Sequence, residues 1–339
     1  VFRPVRIKGT LVQDAVGIAV HIAARLEQSA ASGMICISGA VVALAGNYLR
    51  TAPLQAIPVK GIETPMLRHR LDAADPSASR WAVRAARGLS AFVGRVAESA
   101  ALAEGLDGCG LRAVQIVGPA GVGKSRLIHE FLQSARTRES HVIVWAGDHL
   151  RHFAPFQPVI SWLRGWLGIR VADMRDEARG KLAAGLSALG HPRGADVTLL
   201  ERLLGLDEGP APRTRIDFGS AIAALMQAQA QGRPLVLVCE DADRFDPAIL
   251  DLLETALPKL RGDGVLLVSA SRAQVRFAGI PPGATRHVLL GPLSDDEAAA
   301  MLAAIETGTA GVPGKAADIL DKAGGNPLFI REILEALVE

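Results

Sequence analysis

Apolar positions along the chain follow two different rhythms. From Val16 through Ile18, Ala19, Ile22, Ala23 and Leu26 they recur at helical spacing, and that helix runs out near Gly33. Met34 to Ser38 reads as a short strand and Gly39 to Ala45 as a short helix. Leu54 to Val59 and Pro65 to Leu71 read as strands around a Lys60-Gly61 turn. The small, polar run 72–79 then opens a linker that extends to about Ser90. From Ala91 the rhythm becomes strand and helix in alternation. Arg112 to Val117 is a strand followed by a glycine-rich loop, and Lys124 to Arg136 has helical spacing. His141 to Ala146, Leu235 to Cys239 and Val265 to Ser269 are further strands. Residues 155–231 between them are predicted as a mostly helical insertion, broken at Pro192, Gly205 and Pro210 to Pro212. Apolar strands separated by helices imply a parallel sheet covered on both faces. From Leu293 onward only helical spacing remains, which predicts a small C-terminal helical subdomain over 293–339.

Length and composition narrow the class. A chain of 339 residues exceeds one ordinary core, so two domains or three are expected. With 49% hydrophobic and 21% charged residues it is globular rather than disordered, and 4% aromatics leave its cores to Ala, Leu, Val and Ile. A net charge of +2 offers no electrostatic argument for a nucleic acid or membrane partner. The longest apolar runs, such as Pro234 to Cys239, are strand-sized and too short to span a bilayer. Cys36, Cys109 and Cys239 lie far apart without a CxxC pair, which points to a reducing, cytoplasmic setting. The chain opens on Val1 with no charged-then-apolar leader and reads as a fragment, open at both ends.

The glycine-rich loop carries the clearest chemistry. Gly118-Pro119-Ala120-Gly121-Val122-Gly123-Lys124-Ser125 fits GxxxxGK[ST], placed between a strand and a helix. In such a loop glycines let backbone N–H groups turn inward around a phosphate, and the following helix adds its positive N-terminus. Gly118, Gly121 and Gly123 supply the turn, Lys124 the charge for the β and γ oxygens, and Ser125 a hydroxyl for Mg²⁺, with Arg126 next on the helix. Only seven of the 37 basic residues are Lys, so a lysine at this position is not filler. The expected ligand is ATP, or a closely related purine nucleoside triphosphate, with Mg²⁺. Leu235 to Cys239 ends in Glu240-Asp241, an acidic pair where a phosphate site needs one. By position Glu240 takes the metal-side slot and Asp241 the catalytic, water-orienting slot, with the reverse assignment left open. Val265 to Ser271 ends in Arg272, where a γ-phosphate sensor would sit, and Gly325-Asn326-Pro327-Leu328 interrupts the last helices with a rigid turn.

These residues together resemble a known class. Ala91-Phe92-Val93-Gly94-Arg95, with Glu98, is similar to the "FVGRxxE" opening of AAA-type ATPase modules in the STAND class of signalling NTPases. Leu235 to Pro247 resembles that class's "LVLEDLHWADP" stretch, with Ala242-Asp243-Arg244-Phe245 replacing "LHWA". Phe153-Ala154-Pro155-Phe156 resembles "YAPF", and Gly325 to Phe329 resembles "GNPLF". The resemblance covers residues 91–339 and implies a P-loop ATPase core over 91–292 with a helical lid over 293–339. It also implies that Phe92, Val93, Gly94, Arg95 and Pro327 flank the adenine and that Arg272 is the sensor arginine.

The first 72 residues resemble the closing third of a class III nucleotide cyclase domain, a partial α+β unit. Val16 to Glu27 is similar to "GxxVNxAARLE", Gly33 to Ser38 to "GEILVS", and Lys60-Gly61-Ile62 with Pro65 to "LKGI..P". The resemblance puts Arg25 in the slot of a transition-state arginine, while His21 stands where an Asn belongs. The family's two metal-binding carboxylates have no counterpart, so cyclase activity is not expected from these residues alone. Cyclase and ATPase units in this order imply a slowly hydrolysing signalling switch flanked by helical repeats, with a homodimer through the cyclase-like unit as a further expectation. The alternatives are a nucleotide-bound scaffold without hydrolysis, or the regulatory part of an active adenylate cyclase.

Overall fold

The computed structural model describes residues 2–7, 10–15, 17–45, 49–58, 65–74, 89–137, 139–147, 155–170, 173–193, 195–207, 215–260, 264–306 and 316–338. The chain separates into two units, Val1–Leu89 and Ser90–Glu339. In the first, β1 (Phe2–Ile7) pairs antiparallel with β2 (Thr10–Ala15). Gly17 then adopts φ 138°, and helix α1 (Ile18–Ser29) begins directly after it. Next come β3 (Cys36–Ser38), α2 (Gly39–Ala45), β4 (Leu49–Ile57) and β5 (Met66–Ala74), with the strands in the antiparallel order β3-β5-β4. The β1–β2 hairpin was not expected from the sequence. Strand β5 reaches Ala74, so the linker expected from residue 73 starts inside a strand, where Ala73 pairs with Arg50. Residues 75–88 and the Lys60-Gly61 turn lie outside the described residues.

The second unit opens with α3 (Val96–Asp107), followed by β6 (Leu111–Val117), α4 (Lys124–Thr137) and β7 (His141–Ala146). The insertion contributes α5 (Gln157–Leu167), α6 (Arg175–Ala188), α7 (Val197–Leu203) and α8 (Arg215–Ala230). Pro192 and Gly205 fall between these helices as expected, whereas Pro210 to Pro212 lie outside the described residues. Then come β8 (Leu235–Glu240), α9 (Pro247–Ala256), β9 (Val265–Ser271) and β10 (Thr285–Leu289). The segment expected as a lid contains α10 (Asp295–Glu306), α11 (Ala316–Ala323) and α12 (Pro327–Val338).

Five strands form one sheet in the order β10-β6-β9-β8-β7, and each neighbouring pair is parallel. Strands buried on both faces need apolar residues at nearly every position. That is why β9 is buried along its whole length and β8 from Leu235 to Cys239. Alternate residues feed two cores. Val114, Ile116, Val236, Val238 and Leu266 pack with Leu127 and Ile128 of α4. Ile143, Trp145, Leu237 and Leu267 pack with the insertion and α9 through Leu163, Ile222 and Leu253. Ile319, Ile330 and Leu334 form a third core within the lid. No helix among the described residues is long and apolar enough to cross a membrane.

The strand order positions the site. Since β9 stands between β6 and β8, the loop after β6, the acids after β8 and Arg272 after β9 all leave the sheet at the same, carboxyl-terminal edge. Ligands of open α/β sheets bind outside that edge, where the strand order reverses.

Candidate functional site

The loop is held at its entry, where both polar groups of the Val117–Gly118 peptide are bonded. Gly118 N–H donates to Ser271 O (3.2 Å), and Leu290 N–H donates to Val117 O (2.8 Å). A side chain at Gly118 would run into the Leu290 carbonyl, so only glycine fits there. Val122 is 1% exposed and anchors the loop in the core against α4. On either side of it, Gly121 (φ 84°) and Gly123 (φ 101°) take up left-handed backbone that costs other residues energy. Pro119 and Ala120 are exposed, and Ser125 is half-buried at the start of α4.

Among the described residues, the backbone N–H groups of Gly121, Val122 and Gly123 donate to no backbone carbonyl. A Cβ built on Gly123 would meet nothing within 4 Å. Successive unsatisfied N–H groups, an open space and the N-terminus of a 14-residue helix form a cradle suited to phosphate. Lys124 Nζ donates back into this loop, to Gly118 O and Pro119 O at 2.8 Å each.

Three charges converge on that ammonium. Burial pulls the Lys124 pKa down, Asp241 pushes it up, Arg272 lowers it and Asp243 raises it. Asp241 and Arg272, predicted from separate strand ends, thus both act on the charge of Lys124, and so does Asp243. Gly147 N–H donates to Glu240 O (2.9 Å), tying the end of β8 to the end of β7. Asp241 follows in left-handed backbone (φ 48°), and Gly147 leaves room for it, since a Cβ there would lie 2.5 Å from Asp241 O. Burial, and then the charge of Asp241, push the Glu240 carboxyl up to about 7. Arg272 is exposed, and its backbone N–H donates to the Asp243 carboxylate at 3.3 Å. No group of three or more His, Cys, Asp or Glu among the described residues could hold a metal alone.

The opening segment lies against both loop and lid. Arg126 sits 5.5 Å above the Phe92 ring, donates to Ser90 O (2.7 Å) and pairs with Glu130 (2.7 Å). Val93 packs on the lid core, and Gly94 (φ 66°) abuts the Glu297 carboxylate. Arg95, 9% exposed, donates to Gly291 O (2.6 Å) and Val122 O (3.4 Å) and pairs with Glu98 (3.2 Å). Its guanidinium is thus occupied by protein groups. Across the loop, Asn326 Nδ2 donates to Ala120 O (3.1 Å), and Pro327 begins α12 beside it.

Residues 91–268 match the AAA ATPase domain family. The chain belongs to that family. The match spans the phosphate loop, the acidic pair and most of β9 of this AAA domain, and it does not reach the first unit. Among curated proteins, the chain is 28% identical over 238 residues to an uncharacterized protein of Rhizobium meliloti (strain 1021), covering 66% of this chain and 22% of that protein. Among solved structures it is similar to a STAND protein with a tetratricopeptide repeat sensor from Pyrococcus horikoshii: 17% identity, TM-score 0.40, covering 73% of this chain and 30% of the other. A Walker-type ATPase of Pyrococcus abyssi gives 15% identity and a TM-score of 0.39, covering 73% and 68% of the two chains.

Asn326 and Asp243 join the AAA site without having been singled out as site residues. Asn-Pro ahead of a helical run is a recognisable cap signal, and Asp243 follows two other acids in a short turn. His21 and Arg25 lie in the first unit, both exposed on α1. Phe153 and Ala154 lie outside the described residues, while Phe156 stacks on Phe218 with ring centroids 5.6 Å apart.

Proposed function

We propose that this AAA domain binds ATP with Mg²⁺ and hydrolyses it slowly, the bound state being the signal handed to attached domains. The observation that carries the reading is a glycine loop whose Gly121, Val122 and Gly123 N–H groups have no backbone acceptor, followed by a Lys124 on which the charges of Asp241, Asp243 and Arg272 act. In this reading the N–H groups of Gly121, Val122 and Gly123 bind the β-phosphate. Lys124 exchanges the carbonyls of Gly118 and Pro119 for the β and γ oxygens. Ser125 holds Mg²⁺ directly and Glu240 holds it through water. When bound, the ion offsets phosphate charge and favours the carboxylate form of Glu240. Asp241 orients the attacking water and takes its proton, and Arg272 contacts the γ-phosphate. Phe92, Val93, Gly94 and Pro327 flank the base, while Arg95 acts by fixing the loop.

The first unit is proposed to be a cyclase-derived partner whose state the ATPase sets. Its support is the resemblance of Val16 to Glu27, with His21 and Arg25 one helical turn apart on an exposed helix. Steady-state phosphate release from ATP with Mg²⁺ tests the central reading, with Lys124→Ala as the blank. Turnover on the order of 10⁻² per second or slower is expected for a switch. Bound ATP with release no faster than the blank would make the domain a nucleotide-bound scaffold instead.

A further inference from the structure

The phosphate loop is shaped partly from outside itself. Three consecutive peptide units are gripped from outside by residues distant in sequence. Ala120 O accepts from Asn326 Nδ2 (3.1 Å), Gly121 O from the Leu328 N–H (3.3 Å), and Val122 O from Arg95 Nη2 (3.4 Å). In a planar trans peptide the C=O and the following N–H point in opposite directions. Pinning these carbonyls therefore turns the N–H groups of Gly121, Val122 and Gly123 away from the gripping residues. These are the same three N–H groups that lack a backbone acceptor.

Two of the three grips come from the turn that begins α12. Asn326 Oδ1 accepts from Leu328 N–H (3.0 Å), a helix cap, while its Nδ2 reaches the loop. The approach is close: a Cβ on Gly121 would lie 2.6 Å from Asn326 Oδ1 and 3.0 Å from Leu328 Cβ. Within the lid the turn is itself fixed, since Leu293 N–H donates to Gly325 O at 2.8 Å.

We propose that Asn326 is a positioning residue of the phosphate site, through which the lid sets the orientation of the N–H cradle and hence how long a triphosphate stays bound. The proposal rests on the phosphate-site reading above and extends it. Asn326 acts through the peptide planes of the loop, so its effect belongs to the phosphates and not to the base.

Asn326→Ser separates this role from capping. Serine is an equally good helix cap, but its hydroxyl is too short to match the amide's reach to Ala120 O while capping. In the 339-residue chain, the thermal unfolding midpoint should fall by no more than a few degrees, the loss of one exposed hydrogen bond with the cap kept. Release of a fluorescent ATP analogue, followed by stopped flow with Mg²⁺, should become about five- to tenfold faster, the worth of one hydrogen bond. Inorganic tripolyphosphate, competing against the same analogue, should lose affinity by the same factor. Wild-type release rates in Asn326→Ser would overturn the proposal. A loss confined to ATP, with tripolyphosphate unaffected, would overturn it too, because the turn would then act on the base or ribose. A wild-type chain that binds neither ligand would instead sink the phosphate-site reading, an outcome distinct from both.

Discussion

Replacing Glu240 with Gln should stabilise the nucleotide-free protein at neutral and alkaline pH while weakening its hold on Mg²⁺ and ATP. Burial and the adjacent Asp241 raise the Glu240 carboxyl from an ordinary 4.5 to about 7. The folded chain thus keeps a proton that the unfolded chain has already released, and stability falls as pH rises through that window. Below about pH 4.5 both states are protonated and Glu240 carries no charge penalty; above about pH 7 the penalty is complete. The size of the rise corresponds to about 3 kcal/mol, and because the side chain keeps partial solvent contact about 2 kcal/mol is expected. Guanidinium unfolding without nucleotide or Mg²⁺, followed by the fluorescence of Trp145, Trp162 and Trp166, measures it. Glu240→Gln should match wild type near pH 4.5 and exceed it by about 2 kcal/mol near pH 8. A stability gap that stays constant across this range would refute the account of a buried, charge-strained carboxylate.

Two further predictions concern chemistry. Asp241→Asn should leave ATP binding intact and trap unhydrolysed ATP, read by separating bound nucleotides after a chase; if Glu240→Gln traps and Asp241→Asn fails to bind, the two roles are exchanged. The 339-residue chain should make no cyclic AMP or cyclic GMP with Mg²⁺ or Mn²⁺, because the sequence offers no candidate carboxylate pair ahead of the helix of His21 and Arg25, and production above buffer would contradict this.

The phosphate loop and the acidic strand end were legible because their chemistry is contiguous. GxxxxGKS packs the turn, the charge and the hydroxyl into eight positions, and Leu235 to Cys239 is apolar without a break up to Glu240. The parallel sheet was legible for a similar reason, since strands covered on both faces cannot hide their apolar runs. Strand β10 escaped notice because it lies at the sheet edge, where only Val288 of Thr285–Leu289 is buried and the sequence carries no run. The β1–β2 hairpin likewise shows little alternation, its strands reading FRPVRI and TLVQDA. Arg95 was expected beside the base, yet Gly291 O and Val122 O occupy its guanidinium; those acceptors are backbone atoms, invisible to any motif. The turn holding Asn326 was singled out, but no role for its side chain was legible, because its partner is the Ala120 carbonyl some two hundred residues away.

The central claim is that the loop at 118–125 binds a nucleoside triphosphate. Its most direct test is titration of wild type and Lys124→Ala with a fluorescent ATP analogue in the presence of Mg²⁺. Lys124 supplies the mobile cation aimed at the β and γ oxygens, so the variant should lose measurable affinity while wild type saturates. Equal dissociation constants for the two proteins would contradict the account.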